Sequence, residues 1–299
     1  PTGNNFEIGV ICKMASIRYD KIPLILEYDG RTEKVLAYDC SLNEEATLQP
    51  AYSIGKQGIA EQTPAGARKA SVSFSYTPVL TGYATVGNEF NIINEAARKQ
   101  KILKGTQATE VAIRFGGISG EGLLESYSVS LEPYAPVTCN VNFLLLGSGE
   151  NIPVSGELIS QDQAHKQADL ASDVGHTAYS DFMAGESPAT ITSDNQTGVL
   201  TSVNYSINFN YEPVYKLGQE FPSTFLYHSA NERAEISENT FETGIAFTGK
   251  AENFDLEIKS LDNKTAMRIR MTRPIVKDSR LSISAGDIAN TSKTLNSFY

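Results

Sequence analysis

A chain of 299 residues, 40% hydrophobic and 9% aromatic, is too apolar for disorder and long enough for one large or two ordinary domains. Its 25 Lys and Arg against 35 Asp and Glu give a formal charge of -10, which opposes tight nucleic-acid binding, because that binding is largely phosphate neutralisation. No apolar run reaches the roughly 20 residues of a membrane helix, and no signal-peptide pattern opens the chain.

The longest apolar run, Val141-Asn-Phe-Leu-Leu-Leu-Gly147, has the length of a strand. Pro1 fits removal of an initiator Met, so a cytosolically made chain without membrane insertion is expected. Cys12, Cys40 and Cys139 form no C-x-x-C pair; an odd count without a secretion signal points to reduced thiols. The Asn-x-Ser/Thr matches at Asn195, Asn204, Asn263 and Asn290 then carry no glycosylation.

Residues 1–6 read as a polar arm. Residues 22–28 and 35–38 form strands around the turn signal Asp29-Gly30. Residues 41–52 resume the strand pattern, and 56–69, with Gly58, Pro64 and Gly66, read as a long loop or hairpin tip. Val72, Phe74 and Tyr76 alternate with serines, the period of a half-buried strand. The clearest helix is 88–104: Asn88 caps it, Phe90, Ile93, Ala97 and Ile102 mark its apolar face, and Gly105 stops it.

Strand 110–115 follows, then a Gly-rich link over 116–122. Residues 123–147 are strand, Pro133 and Pro136, strand. Residues 148–195 are polar, with a short helix expected over 161–171. Beyond them strand patterns dominate: 199–211, 214–217, 225–228, 234–237, 244–248, 254–258, 266–271 and 280–284. Asp262-Asn263 suits a hairpin turn, and 287–299 reads as a polar tail.

Residues 202–218 are strand, break at Pro213, strand, and this design occurs earlier. Pro50-Ala-Tyr-Ser-Ile-Gly55 matches Pro213-Val-Tyr-Lys-Leu-Gly218, and Ala70-Ser-Val-Ser73 is echoed by Ala234-Glu-Ile-Ser237. A looser echo relates Gly122-Leu-Leu-Glu-Ser-Tyr-Ser-Val to Gly198-Val-Leu-Thr-Ser-Val-Asn-Tyr-Ser-Ile. Many short strands, one clear helix and a duplication predict a mainly β chain with two β-sandwich or barrel modules. The first module spans 1–150, a connecting or inserted segment 151–195, and the second module 196–299.

The search for chemistry yields no catalytic, cofactor-binding or metal residue. His165, His176 and His228 lack the spacing of a metal site. Gly116-Gly-Ile-Ser-Gly-Glu-Gly122 lacks the Lys-Ser/Thr ending of a phosphate loop, and no G-x-S-x-G elbow is present. Glu44 and Glu45, adjacent on a strand, point to opposite faces and suit a solvated edge better than an acid/base pair. Tyr211, Tyr215 and Tyr227 could line a sugar-binding face, although packing is the simpler reading. A β-sandwich hydrolase with dispersed carboxylates is a further alternative.

The strand–Pro–strand repeats, the helix after Tyr76 and the long polar loop resemble the tail tube proteins of tailed bacteriophages. The best carriers are Leu123-Leu-Glu-Ser-Tyr-Ser-Val-Ser-Leu-Glu-Pro-Tyr-Ala-Pro-Val-Thr and residues 203–218. The resemblance implies a non-enzymatic virion structural protein whose sheets join into a continuous inner barrel. Rings of such barrels stack into a tube that DNA traverses without sequence-specific binding. Six modules complete a ring in that family, so two per chain imply a three-chain, pseudo-sixfold ring. Segments 56–69, 219–233, 1–6 and 287–299 become candidate contacts with other rings or tail proteins, and an acidic lumen would repel DNA. Another tail ring protein, a terminator, neck or baseplate part, is the near alternative. Along 203–211, Val203, Tyr205, Ile207, Phe209 and Tyr211 are expected in the core, with Asn204, Ser206, Asn208 and Asn210 on a wet face of the inner sheet.

Overall fold

The computed structural model describes residues 24–35, 37–45, 48–52, 55, 61–64, 68–77, 92–103, 109–115, 118–132, 135, 137–146, 154–155, 189–193, 198–217, 221–240, 251–259, 265–283 and 288–299. The chain is mainly β, with antiparallel sheets, one helix among the described residues and no closed barrel. Strands are β1 (Leu24–Tyr28), β2 (Arg31–Val35), β3 (Ala37–Glu45), β4 (Leu48–Ala51), β5 (Glu61–Pro64) and β6 (Lys69–Tyr76). After α1 (Ile92–Ile102) come β7 (Glu110–Phe115), β8 (Ile118–Leu131), β9 (Thr138–Leu145), β10 (Val154–Ser155) and β11 (Ala189–Ser193). The remainder is β12 (Gly198–Val214), β13 (Thr224–Thr240), β14 (Phe254–Lys259), β15 (Thr265–Met271), β16 (Ile275–Ser282) and β17 (Ala289–Phe298).

Eight strands form one continuous front sheet in the order β3-β6-β9-β8-β12-β13-β17-β16. Their alternation explains the layering. Phe74, Val141, Phe143, Tyr127, Val129, Val203, Tyr205, Ile207 and Ile236 point to one side and are buried. Covering them are α1, the β1–β2–β7 branch and the sheet β11-β14-β15, whose Leu256, Ile258, Met267 and Ile269 join the same core. Tyr127, in β8, donates its hydroxyl to Met267 Sδ at 3.1 Å, tying the β15 layer to the first half of the chain.

Within the front sheet one strand order occurs twice. In chain order β3, β6, β8 and β9 lie side by side as β3-β6-β9-β8; β12, β13, β16 and β17 lie as β12-β13-β17-β16. The bulges recur too. In β8–β9 the register shifts between Leu124 (opposite Phe143) and Ser126 (opposite Asn142). In β16–β17 it shifts between Val276 (opposite Leu295) and Asp278 (opposite Thr294). Adding 152 to each residue number of the first hairpin gives the second. The β3–β6 bulge at Tyr38 likewise matches the β12–β13 bulge at Thr201, with an offset of 163 on the bulged strand.

That offset is the one that relates the Pro50 and Pro213 motifs. The Ala70 and Ala234 echo is out by two residues, since β6 maps onto β13 with an offset of 162. A shift of two preserves facing, which is why the echo looked right. The looser echo of residues 122 and 198 pairs the wrong strands: β8 corresponds to β16, and β12 is its hydrogen-bonded neighbour.

Other expectations shift with tertiary context. The Asp29-Gly30 hairpin is present, with both residues at positive φ (51° and 72°), as a two-residue turn of the primed type requires. Within 56–69, expected as a long loop or hairpin tip, β5 pairs antiparallel with β4. The Gly-rich link is largely strand, and Gly122 is needed there: a Cβ would lie 3.1 Å from Leu144 O and 3.2 Å from Phe143 Cβ. Pro213 does not break β12, which beyond Asn208 is paired with β13 only, and such an edge tolerates proline. The tail expected over 287–299 is β17, held between β13 and β16. Expectations at 1–6, 161–171, 244–248 and Asp262-Asn263 lie outside the described residues.

The described helix spans Ile92–Ile102, and Asn88, Phe90 and Gly105 of the expected helix and its stop lie outside the described residues. Its buried face is Ile92, Ile93, Ala96, Ala97 and Gln100; Ile102 is exposed. Its first amide is satisfied from another element: Ile92 N donates to Glu33 Oε2 at 2.6 Å. Burial pushes the Glu33 carboxyl up to about 7, with the amide hydrogen bond opposing. The folded pKa exceeds the ordinary 4.5, so the contribution of this group to stability is fully present below about 4.5 and is lost as pH rises through about 7. Glu33→Gln keeps an acceptor and loses the titration. Its stability relative to the native chain is expected to rise between pH 4.5 and 7, by up to about 3 kcal/mol, in denaturant melts across that range.

A buried carboxylate links the two halves. Glu232, on β13 and fully buried, accepts hydrogen bonds from Tyr205 Oη at 2.6 Å and Tyr299 Oη at 2.5 Å, and pairs with Lys101 of α1. Burial, then the adjacent carboxylate, holds the Tyr205 and Tyr299 phenols above their ordinary range, so both remain donors. Lys101→Met strands the carboxylate and is expected to destabilise the fold by about 3–5 kcal/mol in chemical denaturation. Lys101→Arg should recover part of that loss.

Candidate assembly surface

The other face of the front sheet is polar in nearly every row. One row runs across all eight strands as Asp39, Ser75, Asn140, Ser128, Ser206, Arg233, Asn296 and Ile275. The next runs Ser41, Ser73, Asn142, Ser126, Asn208, Asn231 and Phe298. A third carries Thr138, Ser130, Asn204, Glu235, Thr294 and Asp278. Asn204, Ser206, Asn208 and Asn210 therefore fall opposite the buried Val203, Tyr205, Ile207 and Phe209.

Neighbouring side chains on this face satisfy one another. Ser130 Oγ donates to Asn204 Oδ1 at 2.7 Å, and the Ser41 and Ser73 hydroxyls are 2.7 Å apart. Asp39 Oδ1 accepts from Ser75 N at 2.7 Å and Ser75 Oγ at 2.6 Å. Arg233 and Glu235 form an ion pair. The charges of the three rows are Arg233 against Asp39, Glu235 and Asp278, so the face is a hydroxyl and amide surface with a modest acidic excess.

The two ends of the sheet are alike in chemistry. On β3, Cys40 and Leu42 stand on the core side opposite Phe74 and Val72, yet Leu42 is 48% exposed. On β16, Leu281 lies on the core side, and Ile283 just beyond it is 63% exposed. Among the described residues, β3 pairs only with β6, while β16 pairs with β17 and meets Ala251 in a single bridge at Ile275. The core thus ends at both edges with apolar side chains uncovered. Glu44 and Glu45 are exposed on the β3 edge, as expected of a solvated strand, and Glu44 meets Arg68 at 3.3 Å.

The residues weighed for chemistry are dispersed. His228 is exposed and 2.8 Å from Glu212; His165 and His176 lie outside the described residues. No group of three or more potential metal ligands occurs among the described residues. Burial pushes the Cys139 thiol up to about 12 and that of Cys40 up to about 11, so both are poor nucleophiles. Tyr211 and Tyr227 pack at tilted and edge-on angles within an aromatic cluster with Phe209 and Phe225 rather than forming a flat outward platform. A surface depression at the β1–β2 turn contains Glu27, Arg31, Glu110 and Glu121, but Glu27 pairs with Arg114 and Arg31 with Glu95. No helix among the described residues is long and apolar enough to cross a membrane. No protein-family model matches the chain, and none of the curated proteins matches it in sequence.

The two faces of β12 predict opposite mutational responses. Ile207→Ala should cost about 2–5 kcal/mol, whereas Asn208→Ala should stay within about 0.5 kcal/mol, both read from urea melts.

Proposed function

We propose that the chain is a structural subunit of a phage tail tube, without catalysis, that joins edge to edge into rings through which DNA passes. The observation that carries this reading is the repeated strand order, because the two units are joined head to tail. β8, the last strand of the first unit, pairs with β12, the first of the second. A β16 edge and a β3 edge remain at the two ends, the same pair of strand types in the same sense. A heterologous contact of this kind extends until rotation closes it.

Three chains of eight strands close a barrel of about 24 strands. At roughly 4.8 Å between strands and 35–45° of tilt, its backbones stand about 45–52 Å apart across the axis. With the polar rows inward, that leaves room for a nucleic-acid duplex. A weakly charged hydroxyl and amide lining offers few phosphate-neutralising groups, so DNA would move past without salt-dependent retention. In this reading the tail of a virion is the protein's location, and other tail proteins bind the ends of the tube. A single ring at the neck or baseplate shares the same geometry and differs in copy number.

Purified protein is expected to form three-chain rings or stacked tubes in negative-stain images and by mass-resolved chromatography. A strictly monomeric species under all assembly conditions would sink the proposal. Leu42→Lys, at an exposed site, should leave the monomer melting normally and abolish rings. In assembled particles, Asn208→Lys should make nucleic-acid retention salt-dependent without preventing assembly, as read in filter-binding assays across ionic strength.

A further inference from the structure

The joint inside the chain is a template for the joint between chains. Along the outer edge of β8, β7 pairs as far as Leu123, and β12 takes over from Ser126. The outer edge of β16 repeats the first half of this pattern at the positions 152 residues on. Ala251 bridges Ile275, the counterpart of Leu123, and Glu252 N donates to Pro274 O, the counterpart of Gly122, at 2.9 Å. From Asp278, the counterpart of Ser126, no partner strand follows among the described residues. Among the described residues the place that β12 occupies on β8 is open on β16, and β3 is the counterpart of β12.

We infer that β16 of one copy pairs antiparallel with β3 of the next copy, with Leu281 opposite Leu42 and Ile283 opposite Cys40. This register rests on the ring reading above and is obtained by carrying the internal joint over. Val129 opposite Tyr205 and Leu131 opposite Val203 become those two pairs when 152 is added on β8 and 163 subtracted on β12. Nothing in the mapping guarantees apolar partners, yet it brings the exposed Leu42 and Ile283 together with Leu281 and Cys40 on the core side. Ser282 and Arg280 fall opposite Ser41 and Asn43 on the polar side, continuing the hydroxyl and amide rows. A shift of one residue would set Leu42 against the polar side of the neighbour. The occupant of each edge is therefore a second copy of this chain.

Directly opposed residues of an antiparallel pair are close enough for a disulfide, so the native Cys40 serves as a probe. In a Cys12→Ser background, Ile283→Cys treated with copper phenanthroline should give a ladder ending at a covalent trimer. Mass spectrometry should find Cys40 in the bond. The yield should exceed that of Ser279→Cys, four residues away, by about tenfold, because a held pair has a far higher effective concentration than colliding chains. Cys40→Ser should abolish it. Rings that form normally but cross-link through Ser279→Cys or Leu281→Cys instead of Ile283→Cys would overturn this register and leave the ring reading standing. Absence of both rings and cross-links would overturn both.

Discussion

The hydrogen-bonded joint between β8 and β12 is the contact on which the architecture depends. It turns two four-stranded units into one sheet, aligns their polar rows, and makes their apolar faces a single core. Its six-residue register puts Tyr127, Val129 and Leu131 beside Ile207, Tyr205 and Val203, so backbone pairing and side-chain burial require the same alignment. Slipping it by one residue would turn an apolar row toward water and a row of serines into the core. The buried Glu232 reinforces the joint from behind. Its partners come from α1, β12 and Tyr299, three parts of the chain far apart in sequence. Such a node contributes little to raw stability but penalises any arrangement that leaves a charge unpaired.

The division between the two faces has a simple chemical basis. Ser, Thr and Asn are short, so they cover a pleated surface without reaching far from it, and they can satisfy one another laterally. Lys, Arg and Glu would project farther and hold counterions. A chain that is one-fifth charged nevertheless builds the centre of its broadest surface mainly from uncharged hydroxyl and amide side chains. This placement is the opposite of what solubility alone would favour, and it accounts for the negative formal charge saying little about what this surface touches.

The strands whose two faces differ in polarity were legible in the sequence. β6, β9 and β12 alternate apolar with Ser or Asn, and their burial follows that alternation residue by residue. β17 was not legible, because its core side carries Lys293 and Ser297 beside Leu295. Those two groups are satisfied by Glu252 at 3.1 Å and the Thr272 carbonyl at 2.8 Å, partners no local pattern can announce. The acceptor for Ile92 N was hidden for a related reason, since it is Glu33, 59 residues away. The duplication was visible, but its register was not. Two-residue slips leave the facing unchanged, and only strand order and bulges distinguish the alternatives. The edges of the candidate surface were hidden in the same way, because Leu42 and Ile283 look like ordinary core residues until the last neighbour in the sheet is known.

The paired bulges have a mechanical meaning. Each inserts one residue on one side of a ladder, which bends the strand and steepens its right-handed twist. Because they fall at matching positions, both units are bent in the same two places, and β12–β13 carries a further bulge between Asn210 and Tyr211. A wall whose units share such bends can close on itself from similar segments. Deleting one bulged residue would thus do more than remove a side chain: it would make one segment of the arc straighter than its neighbours.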